Sequence, residues 1–463
     1  MKDLLEEIVD EGLKAGASFC EARFFEERGN RISVENGVAK ALGFGIVRGV
    51  GVRVIVDGRW GFASTNVLTR RSLKEALADA VGAAKSLAKR HGEEAEIIDV
   101  KPAVDTVHHK VRVNPEDVSP EEKVKAMLEI EKAARVFSER VKDTFVSYRD
   151  VSTKVIVCNS LGTLVEETTP RIHVHCTVIS KRGGNMQVGF ESIGNVSGYE
   201  LVERIHPEEF SGRAAEKAVS LLDANPPPRG IYTVVTDPKV GGLFVHEAFG
   251  HNCEGDLVFG GQSIVSDRMG KRVASDMVSI IDDPTQLRNG HYVYDHEGVR
   301  AKKHIIVKDG VLVSFLHSLE SAAKMGCEPQ GSARAQSHHH PPIVRMSNTY
   351  FAPGDMTLEE ILEDIKLGVY LSGSQYGYVE TQKGQFTCKV EQAWLIEKGE
   401  LTVHLRDVAI NGATLEALKN VTAVGKDLKI EMPGICGKSG QGIYVDAGAP
   451  HMRFEGIVVG GRK

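Results

Sequence analysis

The 463-residue sequence contains no CxxC pair, and its seven cysteines (Cys20, Cys158, Cys176, Cys253, Cys327, Cys388, Cys436) are odd in number and scattered. That pattern excludes a disulfide framework and a ribbon-type zinc site, so any metal must be held by mixed ligands. There is no run of 18 uninterrupted apolar residues, which excludes an ordinary transmembrane helix. The opening MKDLLEEIVDEGLKAGA is charged every few residues and lacks an apolar core segment, so it does not read as a secretory signal. A soluble cytoplasmic protein with no membrane partner is expected. An excess of positive charge is missing too. The formal charge is −6, with acidic and basic residues interspersed, so nothing resembles a basic stripe for phosphates and nucleic acid is not an expected ligand.

What is present is ordinary globular material, 41% hydrophobic and 26% charged. The chain is too long for one core, since cores stop growing near roughly 250 to 300 residues. The clearest boundary is DANPPPRG, Asp223 to Gly230, where three consecutive prolines stop the preceding helix and stiffen the chain. We therefore expect two domains, 1–222 and 231–463, joined by a proline-rich linker at 223–230. The expected class is α+β, with mixed, largely antiparallel sheets and flanking helices.

Local patterns fill in this outline. Apolar residues at Leu4, Leu5, Ile8, Val9 and Leu13 predict a helix ending near Gly16, and CEARFFEERGNRISVENG reads as strand and turn. Ala41 to Phe62 reads as paired strands turning at Asp57-Gly58. Gly43, Gly45 and Gly49 are spaced like a phosphate loop, but strand residues follow them where such a loop must open a helix. Helices are expected over Leu68 to Arg90, with Leu73, Ala76, Leu77, Ala80, Val81, Ala84 and Leu87 on one face, and over Ser119 to Val141, where Ser119, Pro120 and Glu122 form a start signal. A further helix is expected over Gly212 to Leu222. His173 and His175 share a strand face but have no third ligand nearby, so they are expected to be packed or solvent-facing. In the second half, Asp237-Pro238 opens the helix PKVGGLFVHEAF, and hairpins are expected at Asp309-Gly310 and Lys398-Gly399.

The helix after Asp237 runs into HEAFGH, His246 to His251. Two histidines flanking a glutamate suit a metallopeptidase: neutral imidazoles hold the metal and the carboxylate deprotonates water. The spacing is unusual, because residues five apart on a regular helix diverge by roughly 140°. Irregular backbone is therefore expected at Phe249 to His251, with Gly250 permitting a bulge or turn. On the six residues alone, a helix end with two surface histidines remains the alternative.

The chain resembles the TldD/PmbA proteins, a family once described as modulators of DNA gyrase and now regarded as metallopeptidases. The resemblance is carried by HEAFGHNCEGD at His246 to Asp256, RMSNTYFAPGD at Arg345 to Asp355, MPGICGKSGQGIYVDAGAPHMRF at Met432 to Phe454, and GVGVRVIVDGRWGFAST at Gly49 to Thr65. The family has two branches, and this chain resembles the TldD branch that keeps HExxxH. The resemblance implies a zinc-dependent peptidase acting on unfolded or extended peptides. It also implies pairing with a PmbA/TldE-type homologue that lacks the metal motif, a homodimer being the alternative. It places a zinc-binding cysteine at Cys436, whose glycine-rich surroundings can fold tightly. The expected site is one zinc held by His246, His251 and Cys436, with Glu247 as general base. Cys253 and Glu254 compete for the third ligand position, and Glu254 can instead orient a histidine. His338, His339 and His340, if extended, point to opposite sides and are expected to form a loop near the active-site mouth. Tyr444 and His451 are possible oxyanion donors by nearness in sequence. Two alternative functions are a topoisomerase-binding regulator with structural zinc and a small-molecule amidase.

Overall fold

Turn chemistry and proline positions set most element boundaries. The structure, a computed structural model, describes residues 1–89 and 93–461. Helix α1 (Lys2–Lys14) buries Leu5, Ile8 and Val9 and stops before Gly16, whose φ is +94°. Strands β1 (Phe19–Glu35), β2 (Val38–Val56) and β3 (Arg59–Thr65) follow as a meander. At the β2–β3 turn Asp57 and Gly58 have φ of +51° and +67°, as a type I′ hairpin requires. Gly43, Gly45 and Gly49 lie inside β2, with no helix to receive a phosphate. Helix α2 (Arg70–Ala88) is capped by Thr69 and buries Leu73 to Ala84, although Leu87 is exposed. The expected helix end at Arg90 lies outside the described residues.

After β4 (Val104–His108), helix α3 (Pro120–Arg135) begins as expected, with the Ser119 side chain accepting from the Glu122 amide. It stops short of the expected Val141. That residue already belongs to β5 (Val141–Asn159), paired with Ser180 in β6 (Leu164–Arg182), so long-range pairing overrides local helix pattern. Strand β7 (Asn185–Asn195) and helix α4 (Pro207–Ser220) complete the first half; α4 starts earlier than Gly212 because Pro207 suits the first helical turn. The seven strands form one sheet, ordered β3-β2-β1-β5-β6-β4, with β7 also on β6. Only β4–β6 is parallel. Helices α1 and α2 cover one end of a face and α3 and α4 the other. Each fully buried Leu or Val there contributes about 1.5–3 kcal/mol relative to exposure.

The second half begins with β8 (Gly230–Thr236) and α5 (Pro238–Phe244), and its later strands include β9 (Leu367–Glu380), β10 (Gln385–Glu397), β11 (Gly434–Lys438), β12 (Gln441–Ala449) and β13 (Met452–Gly461). β8 pairs with β9 and β13, β9 pairs with β10, and Val408–Ala413 links β10 to β13. Five strands thus close into a ring. Phe244 at the end of α5 packs on Phe386 of β10 and Phe454 of β13, with ring centroids 4.9 Å and 5.2 Å away, which anchors the helix end against that ring. A second sheet carries β12, with β11 as its hairpin partner. No helix among the described residues is long and apolar enough to cross a membrane. The class is α+β with mixed, largely antiparallel sheets and flanking helices, as expected.

Candidate metal centre

Asp237 organises the start of the site. One carboxylate oxygen accepts from the Val240 amide (2.8 Å) and caps α5, while the other accepts from Ser372 Oγ (2.9 Å) and the Gly373 amide (2.8 Å), tying β9 to the helix. Beyond Phe244 the α-helix gives way to a π turn over Val245–Phe249 and a 3-10 turn over Gly250–Cys253. The Gly250 amide donates to the Val245 carbonyl, five residues back. This resolves the spacing problem, because an i→i+5 turn brings residues five apart onto one face. The rings of His246 and His251 stand 5.3 Å apart. The expected irregular backbone is present but begins upstream, at Val245. Gly250 also serves a different purpose from the one expected. Its φ is −56°, which any residue adopts, whereas a Cβ there would stand 2.1 Å from Met346 Sδ.

Cys436 arrives from β11. Strand alternation turns it inward with its partner Ile443, and sends Ile435 outward to 57% exposure. The donor atoms of His246, His251 and Cys436 lie within 4.8 Å of one another, and Cys436 Sγ is 3.4 Å from His251 Nε2. Glu247 Oε2 is 4.0 Å from the same nitrogen, on a side chain that is 28% exposed. β9 passes close over it: a Cβ on Gly377 would stand 2.8 Å from Glu247 Cγ. Only glycine allows that approach.

The electrostatics suit a cation. Burial pushes the Cys436 thiol up, but the charge of His246 and hydrogen bonds from both imidazoles more than reverse this and bring it down to about 4. Burial opposes charge on the imidazoles as well, yet Cys436 beside His246 and Glu254 beside His251 raise both. His246 Nδ1 is buried without a protein partner. A thiolate and two imidazoles are donors that can hold one first-row transition metal ion.

Glu254 is fully buried and stands behind His251, with Oε2 3.0 Å from Nδ1 and 3.2 Å from Lys438 Nζ. Burial raises its carboxyl, but Lys438 and His251 overcome this and hold it down at about 2. With the Nδ1 proton held by Glu254, Nε2, which faces Cys436, is the nitrogen that would bind a metal on giving up its own proton. Glu254→Gln is therefore expected to weaken metal binding about 10- to 100-fold, measured by competition with a chromogenic chelator. Unchanged affinity would mean that packing alone orients His251. Arg345, fully buried, donates to the carbonyls of Cys436 (2.5 Å) and Gln441 (3.1 Å) and so fixes the β11–β12 hairpin.

The other sequence candidates lie elsewhere. Cys253 sits in the apolar core, where burial holds its thiol well above the usual range. His451 has Asp427 on one ring nitrogen (2.6 Å) and Tyr370 on the other (3.0 Å), leaving neither for an oxyanion. Tyr444 lies across from Ile435, on the opposite side of the hairpin from Cys436, stacked on His173 at 5.7 Å. His175 bonds to Thr177 Oγ1 (2.9 Å), so both strand histidines are packed as expected. His338 to His340 are not extended, and the rings of His338 and His339 lie 3.8 Å apart. Their loop is held against the first sheet, where Arg23 donates to the carbonyls of Ser337 and His340. Lys438, Arg345 and Gly377 were missed by sequence reasoning. Lys438 and Arg345 fall inside the motifs already singled out, but only the fold shows that they are buried against the site.

Known proteins resemble this chain along most of its length. The chain matches the PmbA/TldA metallopeptidase C-terminal domain over residues 229–461, the central domain over 113–222 and domain 1 over 20–88. It is 40% identical to a metalloprotease of Methanothermobacter thermautotrophicus, covering 96% of this chain and 95% of that one. It is 27% identical to the zinc metalloprotease TldD homolog of Saccharolobus solfataricus, covering 96% and 97%. The fold is similar to that of TldE from Thermococcus kodakarensis, with a TM-score of 0.79 at 20% identity over 99% of this chain and 100% of that one. With matched domains along most of its length and a relative this similar, the chain belongs to the PmbA/TldD family of metallopeptidases.

Proposed function

We propose that the protein hydrolyses peptide bonds in unfolded or extended peptides, using one zinc ion held by His246, His251 and Cys436 with Glu247 as general base. The convergence of these three donors beside Glu247 is the observation that carries the reading. When bound, zinc polarises the substrate carbonyl and lowers the pKa of a water to ~7. Glu247 accepts the proton of the attacking water and delivers it to the leaving amide nitrogen. Glu254 keeps His251 turned towards Cys436, and Arg345 keeps the hairpin in place.

The extended-substrate class is supported by β9. Its pairing with β8 ends at Leu371, so from Ser374 to Glu380 it has β10 on one edge and no strand on the other among the described residues. An extended peptide can add to that edge, next to Glu247. Partnership with a TldE-type homologue, or a homodimer, is supported by β2. Its pairing with β3 begins only at Val50, leaving Leu42, Phe44 and Ile46 more than half exposed on one face. Residues 1–222 and 231–463 form separate sheets, which favours two domains joined at 223–230.

Metal analysis together with digestion of one polypeptide, presented unfolded and folded, tests this reading. The expected result is one zinc per chain and cleavage of the unfolded form alone, with and without a co-expressed TldE-type partner compared. Zinc-loaded protein that cleaves neither form in either setting would return the site to a structural role.

A further inference from the structure

A cavity of about 390 Å³ lies between the first sheet and the second half of the chain. Alternation along β1, β5 and β6 places Phe25, Glu27, Thr153, Glu167 and Arg171 on the one sheet face that forms its floor. Tyr292, Arg334, Tyr444 and Ile435 close it from the other side. No residue of the metal-binding set lines it. The β11–β12 hairpin borders both sites: Ile435, Gly442, Ile443 and Tyr444 line the cavity, whereas Cys436, which does not, belongs to the metal centre.

The charges in this cavity do not balance. Both carboxylates are already satisfied: Glu27 accepts from Arg149 (2.7 Å), and Glu167 binds His109 (2.8 Å) and the amides of Val293 and Tyr294 (3.0 Å each). Arg171 and Arg334 are not. Arg171 donates Nε to the Asn289 carbonyl (3.0 Å) and Nη2 to the His291 carbonyl (2.7 Å), while Arg334 donates to the carbonyls of Tyr444 and Met346. Among the described residues neither has a carboxylate within 4.0 Å, although both are more than nine-tenths buried. Their guanidinium groups stack on aromatic rings, Arg171 over Tyr444 at 4.9 Å and Arg334 over Tyr292 at 4.8 Å. Carbonyl dipoles and rings orient a buried charge without neutralising it, and Glu167 and Glu27, which attract Arg171 from beyond contact distance, are already held by His109 and Arg149. An anion entering the cavity supplies what the protein leaves out.

We propose that this cavity is a binding site for a small carboxylate carrying an aromatic or branched apolar body, separate from the metal centre. The guanidinium pair takes the acid group, the tyrosines and Phe25 pack against the body, and the volume lies within the range of small-molecule sites. Isothermal titration of the zinc-loaded protein with phenylacetate tests it, with phenylethylamine as the cation of like body and inorganic phosphate as the anion without one. Saturable binding of phenylacetate alone is expected, weakened at least about tenfold in Arg171→Met, the loss of a charge-assisted hydrogen bond. Because Arg171 also braces two carbonyls, Ile435→Trp, which fills the cavity from an exposed rim position, provides a second variant and should weaken binding comparably. The proposal is overturned if phenylacetate gives no saturable heat, if phenylethylamine or phosphate binds as well, or if both variants bind with wild-type affinity.

Discussion

Glu247→Ala is expected to retain zinc and to lose peptide hydrolysis by about 100- to 10,000-fold, the usual contribution of a positioned general base. Glu247 stands beside the donor set without belonging to it, its carboxylate 4.0 Å from His251 Nε2, so its removal leaves three donors in place. The loss should fall on kcat, with KM little changed, because proton transfer matters in the transition state and not in substrate binding. Truncation also removes the contact with Gly377 of β9, and Glu247→Gln separates the two effects. Glutamine fills the same space but cannot take a proton, so it should be as inactive as alanine. Recovery of activity in the glutamine variant would make Glu247 a packing residue. Full cleavage by a zinc-loaded Glu247→Ala protein would remove the general-base assignment.

Cys436→Ser should lose most of its zinc on dialysis, by more than the roughly 10- to 100-fold weakening expected for Glu254→Gln. The thiol is brought down to about 4 by its imidazole neighbours, so it meets the metal already ionised, whereas a serine hydroxyl stays protonated and is a poor ligand for a borderline-soft ion. The fold should survive, because Arg345 grips the Cys436 carbonyl and not its side chain. Zinc content, measured beside circular dichroism, separates lost metal from lost structure. Full occupancy in a folded variant would remove Cys436 from the donor set.

The features legible in the sequence were those decided by near neighbours. Asp57-Gly58, Asp309-Gly310 and Lys398-Gly399 all have the paired positive φ of tight hairpins, and Ser119 with Pro120 starts α3 as expected. HEAFGH and the cysteine motif marked the residues that converge. The features not legible there depended on residues far along the chain. α3 ends early because Val141 pairs with Ser180, and the ring closes because β8 finds β13, whose residues are at the other end of this half. The need for glycine at position 250 is set by Met346, and the orientation of His251 by a carboxylate whose own charge is fixed by Lys438. Local pattern gives no access to such pairs.

The wide turn at Val245–Phe249 carries a consequence for how such sites are found. A helix that must accommodate one additional residue without displacing the downstream chain can do so by opening a single turn, which is the form this segment takes. The five-residue spacing of the histidines and the wide turn are then one geometry, equivalent to an HExxH-like frame holding one additional residue. A search that fixes the histidines four apart passes over this geometry, whereas one that tolerates a single inserted residue recovers both arrangements as variants of the same metal-holding helix.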